Sequence, residues 1–179
     1  MGASARRIAA AAIGIQVPSL ATDRVDRAAW CRPSPRTRGL GINHLAKGAH
    51  VAEKEVIRTD RAPGPFQGAP YNQAIRVGDL VFVAGQLGIS LETGQLAGPA
   101  VAEQTEQIML NLSAILEAAG SGLDKLVKTT VFLMDLGDFG GMNEVYAQHV
   151  GDRPPARSTV QISGLPSGAL VEIEAIAHV

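Results

Sequence analysis

The side chains Val101, Thr105, Ile108, Leu112, Ile115, Leu116 and Ala119 recur with the period of an α-helix, and Gly120 follows as a stop. A helix with one apolar stripe must bury that stripe, and the flanking segments show what it packs on. Before it, 55–59 is a short β-branched run, and 62–70 is a Pro/Gly-rich loop that cannot be regular structure. Segments 72–77 and 80–84 flank Gly78-Asp79, a two-residue turn in which glycine supplies positive φ, so they read as a β-hairpin. After the helix, 126–134 is rich in Val, Thr and Phe and apolar enough for a strand buried on both faces, hence a central one. Asp138 is positioned to cap a second helix, in which Met142, Val145, Tyr146 and His149 share a face before Gly151 and Pro154-Pro155 end it. Segments 157–162 and 169–177 alternate as strands. The order β, ββ, α, β, α, β, β predicts an α+β fold, one sheet with two helices packed on one face. The chain is too short to cover the other face with a third layer, so burial against another subunit is the simplest solution and an oligomer is expected.

The charge is divided along the 179 residues. Residues 1–52 carry eight Lys/Arg against two acids, whereas 53–179 carry eight against fifteen. The first segment is rich in Arg and Ala, poor in acids and interrupted by Pro18, Pro33 and Pro35, as organelle transit peptides are. It is expected to be a disordered presequence, cut between Arg38 and Glu53 and directed to the chloroplast or, alternatively, the mitochondrion; a plain basic tail is the other reading. Its apolar run, 8–15, falls far short of the roughly 20 residues that span a bilayer. Residues 53–179 form the one folded domain. Its negative charge repels nucleic-acid phosphates and anionic membranes, so neither is an expected partner. The single cysteine, Cys31, lies in the leader, so the domain has no disulfide, cysteine metal site or thiol nucleophile.

The domain also lacks a phosphate-binding Gly-rich loop, paired metal-ligand histidines and a nucleophile-elbow serine. His149 and His178 are isolated, and neither metal nor cofactor is expected. What remains is a pair of charges in apolar strands. Arg157 opens Arg157-Ser158-Thr159-Val160, and in the run 171–175 period 2 puts Glu172 and Glu174 opposite the apolar Val171, Ile173 and Ala175. One reading is a cross-strand ion pair on a solvated face. The other is functional: the planar fork of Arg157 holds a substrate carboxylate while Glu172 positions or activates water. Tyr71 serves equally as packing or as a hydroxyl donor, and Asn143 as a surface amide or a cleft residue.

These positions lie in a set of motifs: Pro70-Tyr71-Asn72-Gln73-Ala74-Ile75, Val83-Ala84-Gly85-Gln86, Val127-Lys128-Thr129-Thr130-Val131, Asn143-Glu144-Val145-Tyr146, Pro155-Ala156-Arg157-Ser158 and Val171-Glu172-Ile173-Glu174-Ala175. In order and spacing, from 55 to 179, they resemble the RidA (YjgF/UK114) family of imine deaminases. The resemblance implies a chorismate-mutase-like fold assembled as a homotrimer, with sites in the clefts between subunits. It implies hydrolysis of 2-aminoacrylate and 2-aminocrotonate, released by pyridoxal-phosphate enzymes, to 2-oxo acids and ammonia without a cofactor. In that scheme Arg157 anchors the carboxylate of the 2-imino acid and Glu172 holds the attacking water. The backbone of Thr159 and Gly85 frames the imine, and Tyr71 and Asn143 complete the cleft. The chain departs from the family's usual pattern at Ala69, Ala84 and Thr159, where Gly, Ser and Cys are common, and in a loop over 63–70 that is two residues longer. Ala84 and the longer loop bear on substrate scope more than on reaction type, and at Thr159 the backbone is the part that matters. A non-catalytic 2-oxo acid-binding or regulatory module of the same fold is the alternative, and the presence of both Arg157 and Glu172 favours catalysis.

Overall fold

A computed structural model describes residues 53–66 and 69–179; the basic leader, with its expected targeting role, lies outside the described residues. Strands β1 (Lys54–Ile57), β2 (Ala74–Val77) and β3 (Leu80–Leu87) precede α1 (Val101–Ala118); β4 (Leu126–Leu133), α2 (Phe139–Val150), β5 (Ala156–Gln161) and β6 (Val171–His178) follow. They build one six-stranded mixed sheet in the order β1-β2-β3-β6-β4-β5, antiparallel except for the β4/β5 pair. The expected α+β order is the observed one. Gly78 takes φ 59° in the β2–β3 turn, where a side chain would be strained.

Alternation along each strand divides the sheet into two faces. Val81 and Val83 of β3, Val131 and Leu133 of β4, and Val171, Ile173, Ala175 and Ala177 of β6 are buried in one core with Ile108, Leu112 and Ile115 of α1 and Met142 and Tyr146 of α2. All seven helix positions singled out by spacing are buried. Gln104 and Asn111 share that buried face and act as clamps. The Gln104 amide accepts from Leu170 N–H (2.8 Å) and donates to the Gly98 carbonyl (3.0 Å). Asn111 donates to the carbonyls of Leu87 and Ile89 (3.2 and 3.1 Å), holding the end of β3 against the helix.

Three expectations need correction. β4 is an interior strand, paired with β6 and β5, but it is not buried on both faces: Lys128, Thr130 and Phe132 are only half-buried. The apolar run reads as doubly buried because the open face is itself partly apolar. β3 runs on to Leu87, beyond the expected 80–84, because the ladder with β6 shifts register between Val83 and Gln86 and absorbs Gly85 in a bulge. Asp138 makes no side-chain cap on α2; instead Asp135 accepts from Gly137 N–H at 2.7 Å in the 3₁₀ turn that leads into the helix.

The face away from the helices presents Ile75, Leu80, Phe82, Phe132 and Ile176 beside Lys128, Thr130, Glu172 and Glu174. Leu80 and Phe82 remain 40% and 42% exposed in the chain, an apolar area that no described element covers.

Candidate functional site

The strand registers decide where the two charges go. Arg157 lies opposite Thr129 on β4, which lies opposite Ala175 on β6; both of these are buried on the helix side, so Arg157 points there too. Glu172 lies opposite Phe132 and Leu87, in the other phase, and emerges on the open face with Glu174. The two glutamates share a face as alternation predicts. A cross-strand ion pair between Arg157 and Glu172 is not formed, because the side chains lie on opposite sides of the sheet.

Around Arg157 the chain builds a rigid seat. One guanidinium nitrogen donates to the Asn143 side-chain oxygen at 2.7 Å, so two of the expected residues meet. The guanidinium carbon lies 4.8 Å from the centre of the Tyr146 ring and 5.5 Å from that of Phe139, within cation–π range. Tyr146 is anchored below by a 2.7 Å hydrogen bond between its hydroxyl and Thr129 Oγ1, both buried. Burial pushes the Tyr146 phenol above its ordinary pKa, against the hydrogen bond to Thr129 and the nearby Arg157 charge, so it stays neutral. No carboxylate among the described residues pairs with Arg157, and a cleft of ≈ 330 Å³ lined by Asn143, Tyr146, Val150, Pro154, Pro155 and Arg157 opens beside it. Two residues along β5, Thr159 is half-buried, and its Oγ1 is buried without a hydrogen-bond partner among the described residues.

The second cluster surrounds Glu172. A Cβ built on Gly85 would sit 2.0 Å from Glu172 Oε1 and 2.7 Å from its Cδ, so the glycine is what leaves room for the carboxylate at the bulge. Burial, and secondarily the like charge of Glu174, raise the Glu172 carboxyl above the ordinary value near 4.5. Such a group takes a proton more readily than a solvated glutamate, a useful property in a base that accepts a proton from water. Gln86 fixes the bulge by donating to the carbonyls of Ala84 (3.0 Å) and Gly85 (3.3 Å). A small cavity of ≈ 50 Å³ lies between the bulge and the Pro-rich loop, lined among others by Pro63, Phe66, Tyr71, Gly85 and Gln86. Tyr71 is 42% exposed, and its hydroxyl accepts from Phe66 N–H at 3.0 Å.

The structure thus brings Arg157 and Asn143 together with Thr159 on one side, and Glu172 and Gly85 together with Tyr71 nearby on the other. It does not bring the two groups together within one chain. Sequence reading assigned no role to Gln73, Tyr146, Thr129 or Phe139. Gln73 is buried and ties the Pro-rich loop down: its amide accepts from Thr59 N–H (2.8 Å) and donates to the carbonyls of Thr59, Ala62 and Pro63 (3.0, 3.0 and 3.1 Å). An amide at the start of an apolar strand, next to a loop without regular structure, was a signal for it. The Tyr146 platform had no comparable signal, since an aromatic on a buried helix face is ordinary core. His149 contacts Glu106 of α1 at 2.8 Å, a tie between the helices, and no described group of His, Asp and Glu is arranged to hold a metal.

Comparison with known proteins agrees with this architecture. The Endoribonuclease L-PSP family matches residues 61–179. A RutC family protein of Pyrococcus abyssi is 50% identical over 125 residues, 70% of this chain and 97% of the relative. Reactive Intermediate Deaminase A, chloroplastic, of Arabidopsis thaliana is 44% identical over 133 residues, 74% of this chain and 70% of the relative. The human 2-iminobutanoate/2-iminopropanoate deaminase is 42% identical over 124 residues, 69% of this chain and 89% of the relative. Among solved structures, RidA from an Antarctic Psychrobacter superposes with a TM-score of 0.66 at 42% identity, over 70% of this chain and 99% of that one. Escherichia coli TdcF with bound serine gives 0.65 at 40% identity, over 70% and 98%. On its sheet order, its helix placement and these matches, the chain belongs to the Endoribonuclease L-PSP family, the RidA/YjgF/UK114 proteins.

Proposed function

We propose that the protein hydrolyses 2-enamine and 2-imine acids such as 2-aminoacrylate and 2-aminocrotonate to 2-oxo acids and ammonia, as a homotrimer, in clefts shared between subunits. The observation that carries this is the separation of the two clusters: a seated arginine without an acidic partner on one side of the sheet, and a half-buried carboxylate on the other. Each cluster is half of a site, and a second copy packed on the open apolar face of the sheet supplies the missing half. Arg157 of one subunit then faces Glu172 of the partner subunit.

In such a cleft the Arg157 fork holds the substrate carboxylate and orients the C=N carbon. Water adds to that carbon, and the Glu172 carboxylate takes one of its protons and passes it to the imine nitrogen, giving a neutral carbinolamine. A second transfer through Glu172, from the carbinolamine hydroxyl to its amine, lets the C–N bond break and ammonia depart, leaving the 2-oxo acid. Tyr71 and the Thr159 and Gly85 backbones frame the reacting atoms. No covalent nucleophile is required, and orientation with a positioned base is enough to accelerate an addition that water performs slowly unaided. The names of the Arabidopsis and human relatives support this chemistry. The Arabidopsis relative is chloroplastic, and with the basic, acid-poor segment 1–52 this supports import into a plastid. The net charge of 53–179, eight basic against fifteen acidic residues, argues against RNA as the substrate.

Adding the protein to a threonine or serine dehydratase reaction is expected to speed conversion of the released imine to the 2-oxo acid, and Arg157→Ala to abolish the effect. Equal rates with and without the wild-type protein would overturn the catalytic reading and leave a 2-oxo acid-binding module.

A further inference from the structure

We infer that Tyr146 is a positioning residue: its ring face, fixed in height by Thr129, holds the Arg157 guanidinium as a pre-set carboxylate receptor. The inference rests on the reading of Arg157 as the carboxylate anchor. β5 is an edge strand, and an arginine there would ordinarily sample many rotamers, at an entropic cost to each binding event. Three contacts remove that freedom. The Tyr146 ring lies at 4.8 Å, the Phe139 ring at 5.5 Å, and Asn143 accepts one N–H at 2.7 Å, leaving the other donors of the fork for a ligand. The 2.7 Å bond between the Tyr146 hydroxyl and buried Thr129 ties the platform to β4, a strand paired on both sides, rather than to the mobile end of a long side chain. Tyr146 also lines the ≈ 330 Å³ cleft beside Arg157, so the platform belongs to the wall on which a carboxylate arrives.

The attraction between a guanidinium and a ring comes from the ring's quadrupole, which fluorination strips away with little change of shape. The test is therefore a series at position 146: Tyr, Phe, then phenylalanines with one, two and three ring fluorines. Each protein is titrated with 2-oxobutanoate by calorimetry and assayed for imine hydrolysis. Tyr146→Phe keeps the face but loses the tie to Thr129, so it is the reference from which the fluorinated series is read. Fluorination should then weaken 2-oxobutanoate binding stepwise, to roughly 2- to 30-fold overall, with KM rising in parallel and kcat nearly constant. In an Arg157→Ala background the same series should be flat. A flat series with Arg157 present, or an equal decline without it, overturns the inference, as does a wild type that fails to bind 2-oxobutanoate. A wild type that binds 2-oxobutanoate but hydrolyses no imine defeats the catalytic proposal alone, since the binding series still decides the role of Tyr146.

Discussion

Replacing Gly85 by alanine tests the placement of Glu172 more sharply than replacing the glutamate. The added Cβ would lie 2.0 Å from Oε1, whereas ordinary contact begins near 3.4 Å, so the carboxylate oxygen must withdraw by about 1.4 Å. The obstacle is the far end of a flexible side chain, so the fold has an inexpensive escape. A rotamer change of Glu172 costs roughly 0.5–1.5 kcal/mol, and the loss of glycine's freedom in the unfolded chain offsets about 0.4–1 kcal/mol of it. Gly85 is not among the glycines with positive φ, so alanine is compatible with the backbone there. The net change in stability is expected below about 1 kcal/mol, a shift of a few degrees in Tm by calorimetry or circular dichroism. Catalysis should respond quite differently, because displacement of a catalytic group by about 1 Å can cost on the order of 100-fold. The expected Gly85→Ala protein is folded, with nearly normal Tm and kcat reduced about 100-fold in the dehydratase-coupled assay. An alanine protein with activity within threefold or so of wild type would show that the carboxylate is not needed where it stands, and a collapse of Tm would show that Gly85 serves the bulge instead.

The division of the site makes a second expectation quantitative. Arg157→Ala and Glu172→Gln should each be inactive, yet refolding an equimolar mixture should restore about a quarter of wild-type activity, the fraction of random interfaces that pair one intact arginine with one intact glutamate. No recovery would place both groups in one chain. Because the folded Glu172 carboxyl has its pKa raised by burial and by Glu174, the base needed for hydrolysis is lost from a higher pH than for a free glutamate. The acid limb of kcat/KM should lie above 4.5, and Glu172→Gln should remove it along with most of the rate. The same shift sets a sign for stability. The folded state holds this proton to higher pH than the unfolded state, so ionising Glu172 costs stability, and Glu172→Gln should match wild type in acid and exceed it as pH rises through the folded value. Urea titrations at several pH values check this. Gln73→Leu should lower stability by about 3 kcal/mol, or roughly 10 °C in Tm, because it strands one N–H and three carbonyls beneath the Pro-rich loop. An unchanged Tm would mean that the loop holds without it.

Much of this architecture is legible in the residues themselves, since periodicity is a local property. The buried stripe of α1, the Gly78-Asp79 turn, and the shared face of Glu172 and Glu174 follow from spacings of 3.6 and 2 that need no partner segment to be seen. The motifs around Arg157 and Glu172 likewise carried the family resemblance. Strand order and phase were decided only by the tertiary structure. Two strands with the same alternation can present their charges to the same face or to opposite ones, and nothing local distinguishes the cases. The β4 ladder, parallel to β5 and antiparallel to β6, sends Arg157 toward the helices and Glu172 away from them. Packing between elements also decided the roles of Gln73, Tyr146 and Gly85, because each depends on a group 11 or more residues away: Thr59, Thr129 with Arg157, and Glu172. An arginine and a glutamate that sequence alone could read as an ion pair are thereby kept apart, on opposite faces of one sheet.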